Sequence, residues 1–147
     1  MKVGFLQTHP IFGKKQENVD AAVSLIKGMD ADLVVLPELF NTGYQFTSWE
    51  ESLALAEPVP DGETTQALIK LAKENRLSIV AGLAERERGV CYNSAVLVSP
   101  QGFVGCYRKL HLFYNEKLWF APGNRPLEVY TIGTATIGIM ICFDWFF

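Results

Sequence analysis

The stretch Asp32-Leu33-Val34-Val35-Leu36-Pro37-Glu38 anchors the architecture. Leu33 to Leu36 is a continuous apolar run, too short for a buried helix, and reads as a strand covered on both faces. Pro37 has no N–H to give to a ladder and closes it. Upstream, Glu17 to Met29 puts Val19, Ala22, Val23, Ile26 and Met29 on one helical face. Downstream, a helix is predicted from Asp61 through Arg76, with Ala67, Leu68, Leu71 and Ala72 inward and Asp61 capping the orphan N–H groups of its first turn. A buried strand between two amphipathic helices is the unit from which layered α/β folds are made.

Further out, Val3 to Gln7 reads as a first buried strand and Leu77 to Leu83 as a third. Residues 40–60, with Gly43, Pro58 and Pro60, read as irregular. A hairpin follows: Tyr92 to Val98 and Phe103 to Leu112 flank the turn Ser99-Pro100-Gln101-Gly102. A last strand, Thr136 to Cys142, runs into the acidic-aromatic turn Phe143-Asp144-Trp145. The order β-α-β-α-β, hairpin, β predicts helices packed on a sheet, with no internal repeat or linker.

Composition narrows the function classes. The 147 residues fit one domain. They are 49% hydrophobic and 20% charged, enough apolar mass for a core without any span long enough for a bilayer. A net charge of −3 offers no basic field for nucleic acid or an acidic membrane surface. The apolar part of Met1-Lys2-Val3-Gly4-Phe5-Leu6-Gln7 is too short for a signal peptide, so a cytoplasmic location is the default expectation. The three cysteines, Cys91, Cys106 and Cys142, lack C-x-x-C spacing, and the two histidines, His9 and His111, lie far apart, so neither a disulfide framework nor a metal site is expected. Cys91 and Cys106 lie within the hairpin and read as packing residues.

In sheets covered by helices, reactive groups gather where strands end. Here Glu38 follows the second strand, Lys109 lies in the hairpin and Cys142 ends the last strand. Singly, each has a plain structural explanation. Together they supply a nucleophile, a base and a cation. A free thiol is only a few per cent thiolate at neutral pH, so a carboxylate base and a nearby ammonium would both help it react. The backbone N–H of Phe143 could add a second donor for an oxyanion. His111 competes with Glu38 as base, because Cys with His is a common pairing. It reads instead as structural, since base and cation are already present, and Asp144 reads as an orienting residue.

Three blocks carry a resemblance: Leu36-Pro37-Glu38-Leu39, Tyr107-Arg108-Lys109-Leu110-His111-Leu112-Phe113 and Gly138-Ile139-Met140-Ile141-Cys142-Phe143-Asp144-Trp145. In this order they resemble the nitrilase, or carbon–nitrogen hydrolase, superfamily. Tyr92-Asn93-Ser94-Ala95, Glu116, Phe120 and Gly123 also match its pattern. The resemblance implies Glu38 as general base, Lys109 as oxyanion stabiliser and Cys142 as nucleophile. Glu116 matches a second glutamate that places the substrate or the lysine. Phe143, Tyr44 and Trp145 count with it as substrate-positioning candidates, and Phe40 and Tyr114 as further pocket aromatics. A small-molecule amide, carbamoyl compound or nitrile would be the substrate, with no cofactor and no metal. Cys142-Phe143-Asp144 resembles the amidase-type branches, whereas true nitrilases tend to carry Trp-Glu after the cysteine.

The superfamily fold is a four-layer α-β-β-α sandwich, and the chain resembles its N-terminal portion, apparently truncated. Two expectations follow: an exposed apolar patch and an open sheet edge. The family habit is homo-oligomeric. An alternative of a different class is a non-catalytic product that binds a partner through its unfinished sheet.

Overall fold

The computed structural model describes residues 1–147. Its main sheet has five strands: β1 (Val3–Phe5), β2 (Leu33–Val35), β3 (Ser78–Glu87), β4 (Val90–Ser99) and β5 (Gly102–Arg108), in the spatial order β1-β2-β3-β4-β5. β1, β2 and β3 run parallel, and β3, β4 and β5 form an antiparallel meander. The helices α1 (Lys15–Ile26) and α3 (Glu63–Asn75) cover one face, and the short α2 (Trp49–Leu55) lies between them in sequence. On that face Ile26, Leu68 and Leu71 are fully buried against Val34, Ile79, Leu83 and Val96. Each such side chain contributes about 1.5–3 kcal/mol relative to exposure.

The opposite face carries Leu33, Val80, Ala95, Leu97 and Tyr107, and it packs on Ile139, Ile141 and a second, two-stranded sheet. That sheet is β6 (Val129–Ile132) paired antiparallel with β7 (Ala135–Gly138). Helix, sheet and sheet therefore form three successive layers. On the inner face of the main sheet, Val3 and Phe5 share a side with Leu33 and Val35, yet stand 60% and 73% exposed. Two apolar side chains of β1 thus stand open to solvent.

Several elements differ from the sequence reading. Residues 40–60 contain α2, started by Ser48, whose hydroxyl accepts from Glu51 N at 3.1 Å. α3 starts one residue later than an Asp61 cap requires, and Gly62 is its N-cap. The buried carboxylate of Glu57 does the capping, accepting from Thr64 N at 2.8 Å and Thr64 Oγ1 at 2.9 Å. The strand expected over 136–142 divides: β7 stops at Gly138, and residues 139–141 are extended but unpaired. β3 runs longer than expected, and β5 ends at Arg108, just before Lys109.

Candidate active site

Glu38, Lys109 and Cys142 each follow an ordered segment that stops for a local reason. Pro37 ends the β2 pairing, and the chain then crosses close over β3: Gly82 N donates to Pro37 O at 3.2 Å and Phe40 N to Gly82 O at 2.9 Å. Only glycine allows this crossing, because a Cβ at residue 82 would lie 2.5 Å from Glu38 Cα. Lys109 is clamped from both sides. Its N–H donates to Asn93 O at 2.9 Å, and its carbonyl accepts from Gly123 N at 2.8 Å. Gly123 again has no room for a Cβ, which would sit 2.2 Å from Arg108 O.

Cys142 opens a 3-10 turn (Cys142–Phe146) with φ of 46°. The left-handed region costs an L-residue roughly 1–2 kcal/mol, so the turn must be held from outside. Asp144 holds it. One carboxylate oxygen accepts from Ile141 N at 3.1 Å and from Tyr107 Oη at 2.7 Å; the other accepts from His111 N at 2.9 Å and meets His111 Nδ1 at 2.9 Å. Asp144 therefore ties the cysteine turn to the segment carrying Lys109. Burial alone would raise its carboxyl pKa, but these donors outweigh it and hold the group below the usual range.

The lysine side chain is fully buried and sits between two carboxylates. Nζ lies 2.7 Å from Glu38 Oε1 and 2.8 Å from Glu116 Oε2. Burial pulls its pKa down, but Glu116 and Glu38 together push it above the ordinary lysine value, so it is a fixed cation. Glu116 lies in a 3-10 turn (Tyr114–Leu118) and accepts from Phe113 N at 2.8 Å. Burial raises its pKa; Lys109 opposes, and the net direction is up. Asn93 Nδ2 donates to Glu38 Oε1 at 2.6 Å and to Glu116 Oε1 at 3.1 Å, and Tyr44 Oη donates to Glu38 Oε2 at 3.1 Å. Burial and the negative charge of Glu38 push the Cys142 thiol up, and Lys109 pulls it back only in part. Cys142 is therefore a neutral, partly solvent-accessible thiol beside a carboxylate and an ammonium.

The remaining candidates separate. Tyr44 joins the cluster. Phe143 turns its ring onto Phe113, Phe146 and Phe147 and, with His111 and Lys117, borders an open cavity of about 420 Å³ beside the cysteine turn. Trp145 is 69% exposed with its ring against Phe146, and Tyr114 is also exposed. Phe40 is not a pocket residue; it is buried in the core under the helices. His111 pairs with Asp144 and stacks on Phe147 with ring centroids 3.9 Å apart. Cys91 and Cys106 are buried, and burial raises both thiols. Another cavity of about 420 Å³, around Arg76, Ser78 and Gly133, is lined by none of the reactive groups. Asn93 was visible in the sequence only as part of a matching motif. Its contacts depend on the β3–β4 register, which sets it opposite Ala84.

Comparison with known proteins matches this arrangement to a family. The carbon–nitrogen hydrolase model matches residues 2–147. A protein named nitrilase from Pyrococcus abyssi is 48% identical over 150 residues, covering all of this chain and 57% of that protein. An (R)-stereoselective amidase from a Pseudomonas species is 34% identical over 146 residues, covering 98% of this chain and 52% of that one. A solved CN-hydrolase superfamily protein from Xanthomonas campestris superposes with a TM-score of 0.89 at 26% identity, over 99% of this chain and 54% of its own. The chain thus spans about half the length of the relatives it matches. No helix is long and apolar enough to cross a membrane. With its layered α/β architecture and a match over nearly every residue, the chain belongs to the carbon–nitrogen hydrolase family.

Proposed function

We propose that the protein hydrolyses a non-peptide C–N bond of a small amide or carbamoyl compound through a thioester on Cys142. The observation that carries this reading is the buried Lys109 ammonium, held at 2.7 Å by Glu38 and 2.8 Å by Glu116 beside a left-handed cysteine. Glu38 takes the Sγ proton as the thiol attacks the carbonyl carbon. Lys109 Nζ and Phe143 N–H donate to the oxyanion; one such donor is typically worth about 3–4 kcal/mol of barrier. As the tetrahedral intermediate collapses, the C–N bond breaks and Glu38 returns the proton to the departing amine. Water, deprotonated by Glu38, then cleaves the thioester to the acid and the free thiol. Lys109 cannot serve as the base, because its neighbours keep it protonated.

A nitrile substrate is the second reading, favoured by the 48% identity to the Pyrococcus abyssi protein. The Cys142-Phe143-Asp144 sequence and the amidase relative favour the amide. Ammonia release by the natural full-length protein, measured across amides, carbamoyl compounds and nitriles, separates the two. Turnover of amides, abolished by Cys142→Ala, is expected. Turnover of nitriles alone would transfer the assignment to the second reading. No turnover of any class, with the thiol intact, would remove the hydrolase reading and favour a partner-binding role. The homo-oligomeric state implied by the resemblance is part of the same proposal.

A further inference from the structure

Asn93 touches every charged member of the site and is itself completely buried on β4. Its side-chain Nδ2 donates at 2.6 Å to Glu38 Oε1 and at 3.1 Å to Glu116 Oε1. Its backbone carbonyl accepts the Lys109 N–H at 2.9 Å. Its Oδ1 is buried without a hydrogen-bond partner. The orientation of the carboxamide is therefore dictated by the two carboxylates, since turning it over would set Oδ1 against two anionic oxygens. Two carboxylates this close repel, and a single ammonium leaves the cluster one negative charge in excess.

We propose that Asn93 is a positioning residue whose amide N–H groups hold Glu38 and Glu116 side by side as anions around Lys109, so that Glu38 stays available as the base for Cys142. This rests on the proposed thiol chemistry. An asparagine suits the position because it donates without adding charge. Aspartate has nearly the same shape but would bring a third carboxylate to one ammonium. The groups that face the cluster are Glu38, Glu116, Lys109, Tyr44 and Cys142. The phenol of Tyr44 is pushed up by burial and by Glu38, so it stays a neutral donor and cannot offset a new negative charge.

The test is Asn93→Asp in the natural full-length protein, read first by the pH dependence of Cys142 alkylation with iodoacetamide. Cys91 and Cys106 are buried, and Cys142→Ala supplies the background. This readout needs no substrate, so it stands even if the amide panel fails. The alkylation profile of Asn93→Asp is expected to move to higher pH by about one unit or more, and the acid limb of any hydrolysis with it. The sign follows from the added negative charge, which favours the protonated forms of both the carboxylates and the thiol. A folded Asn93→Asp whose profile overlays the wild type would overturn the proposal. Should that variant fail to fold, Asn93→Ala removes the donor without adding charge. It is expected to slow alkylation at the wild-type optimum about tenfold, and an unchanged rate and profile would equally overturn the proposal.

Discussion

Replacing Gly82 by alanine puts the closeness of the Glu38 segment to β3 under direct test. The new Cβ would meet Glu38 Cα at 2.5 Å, Pro37 O at 2.8 Å and Leu39 N at 2.9 Å, all backbone atoms. Carbon atoms rest comfortably at about 3.5 Å, so the Glu38 backbone must retreat by about 1 Å. Starting from 2.7 Å, the Lys109–Glu38 contact would stretch to about 3.7 Å, beyond hydrogen-bond range. Overpacking of this kind costs about 1–3 kcal/mol of stability, and a 1 Å misplacement of a reacting group costs about 100-fold in rate. Gly105→Ala is the control, because its Cβ would also meet atoms at 2.4–2.7 Å, but they belong to the tip of the Tyr130 ring, which can swing aside. Urea unfolding and iodoacetamide alkylation of Cys142, run on both variants, separate the effects. Gly82→Ala should lose both stability and thiol reactivity, and Gly105→Ala only a little stability. Wild-type reactivity in a folded Gly82→Ala, or equal losses in both variants, would refute the idea that this crossing places the base.

Two further outcomes follow from the cysteine turn. Cys142→Gly removes the side chain from a left-handed position, whereas Cys142→Ala keeps the steric penalty; the glycine variant should unfold up to about 1 kcal/mol later than the alanine variant in urea, once the extra freedom of unfolded glycine is allowed for. Asp144 has a carboxyl pKa lowered by folding, so its stabilisation is complete above the unfolded value of about 3.9 and is lost as pH falls through the folded value. Asp144→Asn should therefore be less stable than wild type at pH 7, with the gap narrowing in the acid range, as followed by thermal unfolding between about pH 2 and 7.

Much of the site could be read from the sequence because its three reactive groups sit where hydrophobic runs end. Leu33–Leu36, Thr136–Ile141 and the hairpin each announce a strand, and Glu38, Cys142 and Lys109 stand at or near their ends. The parts that escaped depend on distant partners. The cap of α3 comes from Glu57, placed by a buried contact that also meets Lys15 Nζ at 3.1 Å, and no local rule reveals it. The α2 start did carry a local signal, Ser48-Trp49-Glu50-Glu51, the spacing of a capping box, but it lay inside a stretch punctuated by glycine and prolines. β6 is four residues long and half exposed, so it lacks the clear alternation of a longer strand. Asn93 needed the register of β4 against both neighbours, information that emerges only once the sheet has formed.

Arg108 and Lys109 are consecutive cations with separate anionic destinations. Arg108 goes to the buried Glu85 and to Glu87, while Lys109 goes to Glu38 and Glu116. Which cation meets which acid is set by the register of β5, and that register shifts by one residue at the irregularity between Leu97 and Val98, where Val104 has no partner. The bulge thus works as a parity bit for the active site. Were Val104 paired in regular alternation instead of bulging out, Arg108 would stand opposite Asn93 rather than Ser94, turning the guanidinium toward the Glu38–Glu116 cluster and away from Glu85. A single bulged position near the far end of the strand therefore specifies which cation, ammonium or guanidinium, joins the two carboxylates.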